Sequence, residues 1–170
     1  MKNLLKAAVC AVLVCAMAFA LAACGGNEPA PAETKDYDVI DIAKSVSENV
    51  SFEDEYLTAV ADIAFELNRD EIALDSVAEE NGAKQAAVYV SGAYPEMIFA
   101  IKAVDANAAD QVMKAIEKIL DNYEKNYTNY GPEQVSKITS AVKVIKGQYV
   151  FVIVSNDNAA AQTYLNGLLG

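Results

Sequence analysis

AVKVIKGQYVFVIVS, residues 141–155, decides the fold class. Its β-branched and aromatic residues fall into two short runs around Lys146-Gly147, where glycine supplies the positive φ of a tight hairpin turn. The second run, Tyr149 to Val154, is apolar at every position. A strand with one wet face alternates apolar and polar residues; one that does not is covered on both faces and lies centrally in its sheet.

Toward the N-terminus, AVYVSG at residues 87–92 and EMIFAIKAV at residues 96–104 are two further apolar runs, separated by Gly92 and Pro95, and read as paired strands. Between the two strand pairs lies DANAADQVMKAIEKILDNYEKNY, which sets Val112, Ile116, Ile119, Leu120, Tyr123 and Tyr127 on one helical face. Gly131-Pro132 stops this longest helix, and Pro132 opens a short one carrying Val135 and Ile138. Asn156 or Asp157 caps a final helix running through Leu165. Upstream, Val39, Ile42, Ala43 and Val46 predict a helix over residues 37–49. Leu57, Val60, Ala61, Ala64 and Leu67 predict another over residues 54–67, while residues 71–84 give no clear period. The expectation is a single globular α+β domain, residues 36–170, with an antiparallel sheet of about four strands packed with helices.

The first residues have a different character. Lys2 and Lys6 precede fourteen uncharged residues, Ala7 to Ala20, with no helix breaker. Eighteen residues, Ala7 to Cys24, reach the lower end of spanning length. The run nevertheless ends in small residues followed by Gly25 and Gly26, with no basic stop-transfer cluster, so residues 1–23 read as a cleaved secretory signal peptide. Leu21-Ala22-Ala23-Cys24 resembles the lipobox of bacterial lipoproteins. That resemblance implies a diacylglyceryl group on Cys24 and cleavage just before it; two acyl chains give a stable anchor where one gives reversible binding. GGNEPAPAETK, residues 25–35, then reads with Cys24 as a flexible tether, spanning about 18 Å on average. The expected partner of residue 24 is therefore the membrane.

Cleavage removes Cys10 and Cys15, and the chain contains no His and no Trp. Cys/His dyads, Ser-His-Asp triads and zinc sites built on His or Cys are excluded, and no metal or other cofactor is expected. Net charge is -11, or -13 once Lys2 and Lys6 leave. Residues 24–80 hold sixteen acids and three bases, and residues 81–170 hold eight of each. Such a chain does not bind nucleic acid through phosphate contacts, and solubility is the simplest use of the excess.

Candidate sites follow from the few chemistry-bearing residues left. Asp105, Asn107 and Asp110 begin like a calcium loop, but Ile116 stands where the bidentate Glu belongs, so Asp105 reads as a helix cap. Glu53, Asp54 and Glu55 read as a solvated helix start, favoured by the helix dipole. Tyr123, Tyr127 and Tyr130 fall at helical spacing and suit either a half-buried packing edge or a stacking row for a sugar or peptide. Glu96 opens a strand just after Tyr94-Pro95, where an exposed strand end is its ordinary reading. Tyr94, Glu96, Tyr123, Tyr127 and Tyr130 are the candidate partner-binding residues, and no catalytic residue is assigned.

From about Tyr37 to Leu165 the chain resembles the bacterial lipoproteins grouped as domain of unknown function 4358. The resemblance rests on the apolar strand Glu96 to Asp105, the step Tyr130-Gly131-Pro132-Glu133-Gln134 after the long helix, and the YVFVIVSNDN strand-to-helix turn. Relatives carry an Arg and a Gln in the long helix, whereas the only Arg here is Arg69. The resemblance implies a domain on the outer face of the bacterial cytoplasmic membrane and brings no assigned activity. The expected role is a lipid-anchored binding or interaction module for an envelope protein or wall component. The alternatives are a small carboxylate-dependent wall hydrolase and an accessory solute-binding lipoprotein.

Overall fold

The computed structural model describes residues 35–170, and residues 35–170 pack as one compact unit. The expected signal peptide, Cys24 and all of the expected tether before Lys35 lie outside the described residues.

A five-stranded sheet organises the domain. In chain order the elements are α1 (Val39–Asn49), β1 (Thr58–Ala59), α2 (Ile63–Arg69), β2 (Glu79–Glu80), β3 (Ala83–Lys84), β4 (Ala86–Val90), β5 (Met97–Lys102), α3 (Ala106–Tyr130), α4 (Val135–Thr139), β6 (Val142–Lys146), β7 (Tyr149–Val154) and α5 (Asn158–Leu169). The sheet order is β1-β4-β5-β7-β6, antiparallel throughout, and β2 and β3 form a separate small hairpin. The expected four strands are all present; the short edge strand β1 makes the fifth.

Register explains the two cores. Val88, Phe99 and Val152 align across three strands and face α3, which buries Ala109, Val112, Met113 and Ile116 against them. One residue along, Tyr89, Ile98 and Ile153 face the other way, toward the layer that includes α1 with Val39, Ala43 and Val46 and α5 with Ala161 and Leu165. Successive side chains alternate across a strand, so a strand in the middle of two helical layers must be apolar at every position. β7 is buried along its whole length and lies between β5 and β6, as the unbroken run Tyr149 to Val154 required. Gly147 turns the β6–β7 hairpin at φ 62°.

Helix ends follow their caps. Asp38, Asp105 and Asp157 each accept amide N–H groups of the first turn of α1, α3 and α5. The segment expected to be helical over residues 54–67 is not: β1 occupies residues 58–59, and helix begins only at Ile63. Asp62 accepts the Phe65 amide and so caps α2, which fixes the helix start well inside the expected range. The amides of Glu53 and Asp54, which a helix start would leave facing solvent, are instead bonded to a buried carboxylate.

Candidate functional site

That carboxylate is Glu96. The exposed strand end expected from sequence is in fact buried, with 1 % of its surface accessible. Isolating an ionised carboxylate costs several kcal/mol, so its partners decide whether the site holds together. Both oxygens accept the Glu53 amide at 2.8 Å, and Oε2 also accepts the Asp54 amide at 3.1 Å. Lys137 Nζ, reaching in from α4, donates to Oε1 at 3.1 Å. The same ammonium donates to Glu53 Oε2 at 2.5 Å, and Gln134 Nε2 adds a bond to that oxygen at 3.1 Å.

The electrostatics agree with the geometry. Hydrogen bonds from Lys137 and then Gln134 hold the Glu53 carboxyl below its ordinary range. Burial works to lower the Lys137 pKa, but its bonds to Glu53 and Glu96 outweigh burial and leave it raised. Lys137 is therefore a fixed cation and a poor nucleophile or proton shuttle near neutral pH. The expectation of a solvated acidic helix start at Glu53 to Glu55 is corrected accordingly. Glu53 belongs to the cluster, and Asp54 Oδ2 accepts the Ser91 hydroxyl at 2.7 Å, pinning the β4–β5 turn.

The structure brings Tyr94 and Tyr127 to this cluster. The Lys137 ammonium stands 5.7 Å from the centroid of the Tyr94 ring, and the Tyr127 hydroxyl lies 3.5 Å from the Ala93 carbonyl oxygen. Gly131 packs closely beside them: a Cβ there would stand 3.1 Å from Tyr127 Cδ1, so a larger residue would need the Tyr127 ring to give way slightly. Tyr123 stacks on Tyr127, with centroids 6.2 Å apart and planes at 13°, and leads away along α3. Tyr130 is 91 % exposed at the end of α3. Sequence reasoning missed Lys137 and gave Gln134 no role, although Gln134 closes the Tyr130-to-Gln134 step already conspicuous in the sequence. Asn158 was missed as well; its amide donates to the Lys137 carbonyl at 2.7 Å and ties α5 to α4.

Residues 78–155 match the family model described as Domain of unknown function (DUF4358). No curated protein and no solved structure matches the chain. The DUF4358 segment contains Tyr94, Glu96, Gln134 and Lys137, whereas Glu53 and Asp54, which complete the cluster, come from outside it.

A second arrangement lies on the far side of Tyr123, where the DUF4358 segment meets the end of α2. Glu66 is buried and pairs with the Arg69 guanidinium, whose Nε also donates to Asp70 Oδ1 at 3.3 Å. Burial, partly offset by Arg69, raises the Glu66 and Asp70 carboxyls above their ordinary range. The turn that follows is a Schellman motif: Ile72 N–H bonds the Leu67 carbonyl at 2.8 Å, and Glu71 N–H bonds the Asn68 carbonyl at 3.2 Å. Glu71 occupies its left-handed position at φ 58°, where glycine is usual.

Proposed function

We propose that the chain is a lipoprotein held on the outer face of the bacterial cytoplasmic membrane through Cys24, and that its DUF4358 domain is a binding module at the cell envelope. The anchor rests on the lipobox LAAC after an uncharged run. The observation that carries the binding reading is how fully Glu96 is engaged. A general acid or base must exchange a proton with substrate, whereas this carboxylate is enclosed by two backbone amides and an ammonium. The cluster acts as a clamp that holds Glu53 and Asp54 against the β4–β5 turn and presents the tyrosines around it. Tyr94, Tyr127 and the exposed Tyr130 then form a rim suited to a partner at the envelope, either a protein or a wall component.

Detergent phase partitioning tests the anchor. Wild type is expected in the detergent phase with a modified Cys24 at its N-terminus, and Cys24→Ala in the aqueous phase with its domain folded. Equal partitioning of both, with Met1 retained, would mean that the apolar run itself holds the membrane. Crosslinking in native membranes tests the module: reproducible adducts on the tyrosine rim support it. Turnover of a wall glycan by the purified protein, lost on replacing one of its carboxylates, would instead make it a hydrolase.

A further inference from the structure

The groove beyond Tyr123 has the construction of a ligand site, and it lies apart from the Glu96 clamp. It measures about 400 Å³, within the ~300–1,000 Å³ usual for small-ligand clefts. Its floor is Ala115, Ile119 and Tyr123 on α3. Asn122 and Asn126, exposed and one turn apart on the same helix, also line it, as does Arg69 at the end of α2.

Each lining group constrains what fits. The apolar floor with an aromatic ring suits a flat C–H face, as aromatic and aliphatic surfaces do. Carboxamides both donate and accept, guanidinium only donates and carboxylate only accepts, so the rim matches a ligand whose groups do both. Hydroxyls have that property. Charge narrows the class further: Arg69, Lys118 and Lys125 are balanced by Asp70, Glu71 and Asp121, so the lining offers no net field to a charged ligand. Arg69 is also fixed in advance, since Glu66 beneath it and Asp70 beside it hold the guanidinium in place. Pre-organisation of this kind lowers the entropy lost on binding. Burial, and after it the nearby Asp70 carboxylate, raise the Tyr123 hydroxyl above its ordinary pKa, and a phenol is protonated and able to donate at neutral pH with or without that shift.

We infer that this groove binds a neutral oligosaccharide, with sugar rings lying on Tyr123 and Ile119 and their hydroxyls held by Asn122, Asn126 and Arg69. The inference goes beyond the envelope reading and does not depend on lipid at Cys24, because a groove of this construction binds or fails to bind in the detergent-solubilised protein regardless of the anchor.

The test is calorimetric titration of the full-length, detergent-solubilised protein with chitohexaose fully N-acetylated, with maltohexaose, and with polygalacturonate as an anionic comparison. At least one neutral glycan should bind with a Kd of about 1 mM or tighter. Asn122→Ala and Tyr123→Leu should each weaken that binding about tenfold, and Tyr130→Ala, outside the groove, should leave it unchanged. Thermal unfolding checks that each variant is folded; if Tyr123→Leu is not, Asn122→Ala at its exposed position decides. Failure of both neutral glycans to bind, tighter binding of polygalacturonate, or wild-type affinity in Asn122→Ala would overturn the inference. None of these outcomes bears on the partitioning of Cys24→Ala, so the two readings fail separately.

Discussion

Glu96 Oε1 and Lys137 Nζ lie 3.1 Å apart, and through that pair the start of β5 is tied to α4. Because Glu96 is buried, removing it takes the acceptor from the Glu53 and Asp54 amides and leaves Lys137 with the Glu53 carboxylate alone. Glu96→Ala should destabilise the domain by about 2–6 kcal/mol, about 1–3 kcal/mol for each amide left without its acceptor. Lys137→Met should cost less, about 1–3 kcal/mol, since the backbone amides still serve the carboxylate. Urea denaturation measures both, and a Glu96→Ala variant within about 1 kcal/mol of wild type would contradict the clamp.

Acid should affect the domain in two opposite ways. Lys137 and Gln134 depress the Glu53 carboxyl in the fold, so its stabilisation is present above its ordinary value of 4.5 and is lost as pH falls through the lower folded value. Burial raises Glu66 and Asp70, so the fold takes up their protons first and gains stability as pH falls through their folded values. Stability measured by urea midpoint should rise slightly on mild acidification and then fall. Glu66→Gln should remove part of the rise, and Glu53→Gln should flatten the fall below pH 4.5. A monotonic curve unaffected by either variant would mean that neither carboxyl is coupled to folding.

At Glu71 the chain carries a side chain where the Schellman turn favours none. A left-handed non-glycine residue costs about 1–2 kcal/mol, and glycine returns part of this as unfolded-state entropy. Glu71→Gly is therefore expected to raise stability by up to about 1 kcal/mol while removing a carboxylate from the groove's edge. Lowered thermal stability in that variant would show that the Glu71 side chain contributes more in place than its backbone strain costs.

Much of this architecture was legible in short stretches. The unbroken apolar run at Tyr149 to Val154 predicted a covered central strand because alternation disappears only when both faces are buried, and β7 is that strand. Val112 to Tyr127 predicted α3 by period alone. Residues 54–67 misled because Leu57, Val60, Ala64 and Leu67 keep a helical period even though the first two precede α2. The deciding groups were distant: a carboxylate more than forty residues away takes the amides of Glu53 and Asp54. The same long separation hid the Glu96–Lys137 pair, since neither residue carries a local sign of its partner. Tyr130, by contrast, followed the helical row of Tyr123 and Tyr127 in sequence but turns out to stand free of it in solvent.

That exposure makes Tyr130 the position from which to test the rim. A photoreactive phenylalanine analogue there should leave the fold intact, because a side chain 91 % exposed makes few contacts to lose. In native membranes it should form adducts with a partner, whereas the same analogue at exposed Ala106, where α3 begins, should form few or none. The acidic N-terminal part of the domain should speed the encounter of a basic partner without adding specificity, so adduct yield after brief illumination should fall as salt rises. Charge reversal must spare Asp54 and Asp62, which hold the Ser91 hydroxyl and the Phe65 amide. Asp41, Glu48 and Glu55 are exposed, and their replacement by Lys should lower the yield at low salt and remove most of its salt dependence. If adducts form equally from residues 106 and 130, and salt changes neither, the tyrosine end is not where a partner docks and the acidic surface serves only to keep the protein soluble.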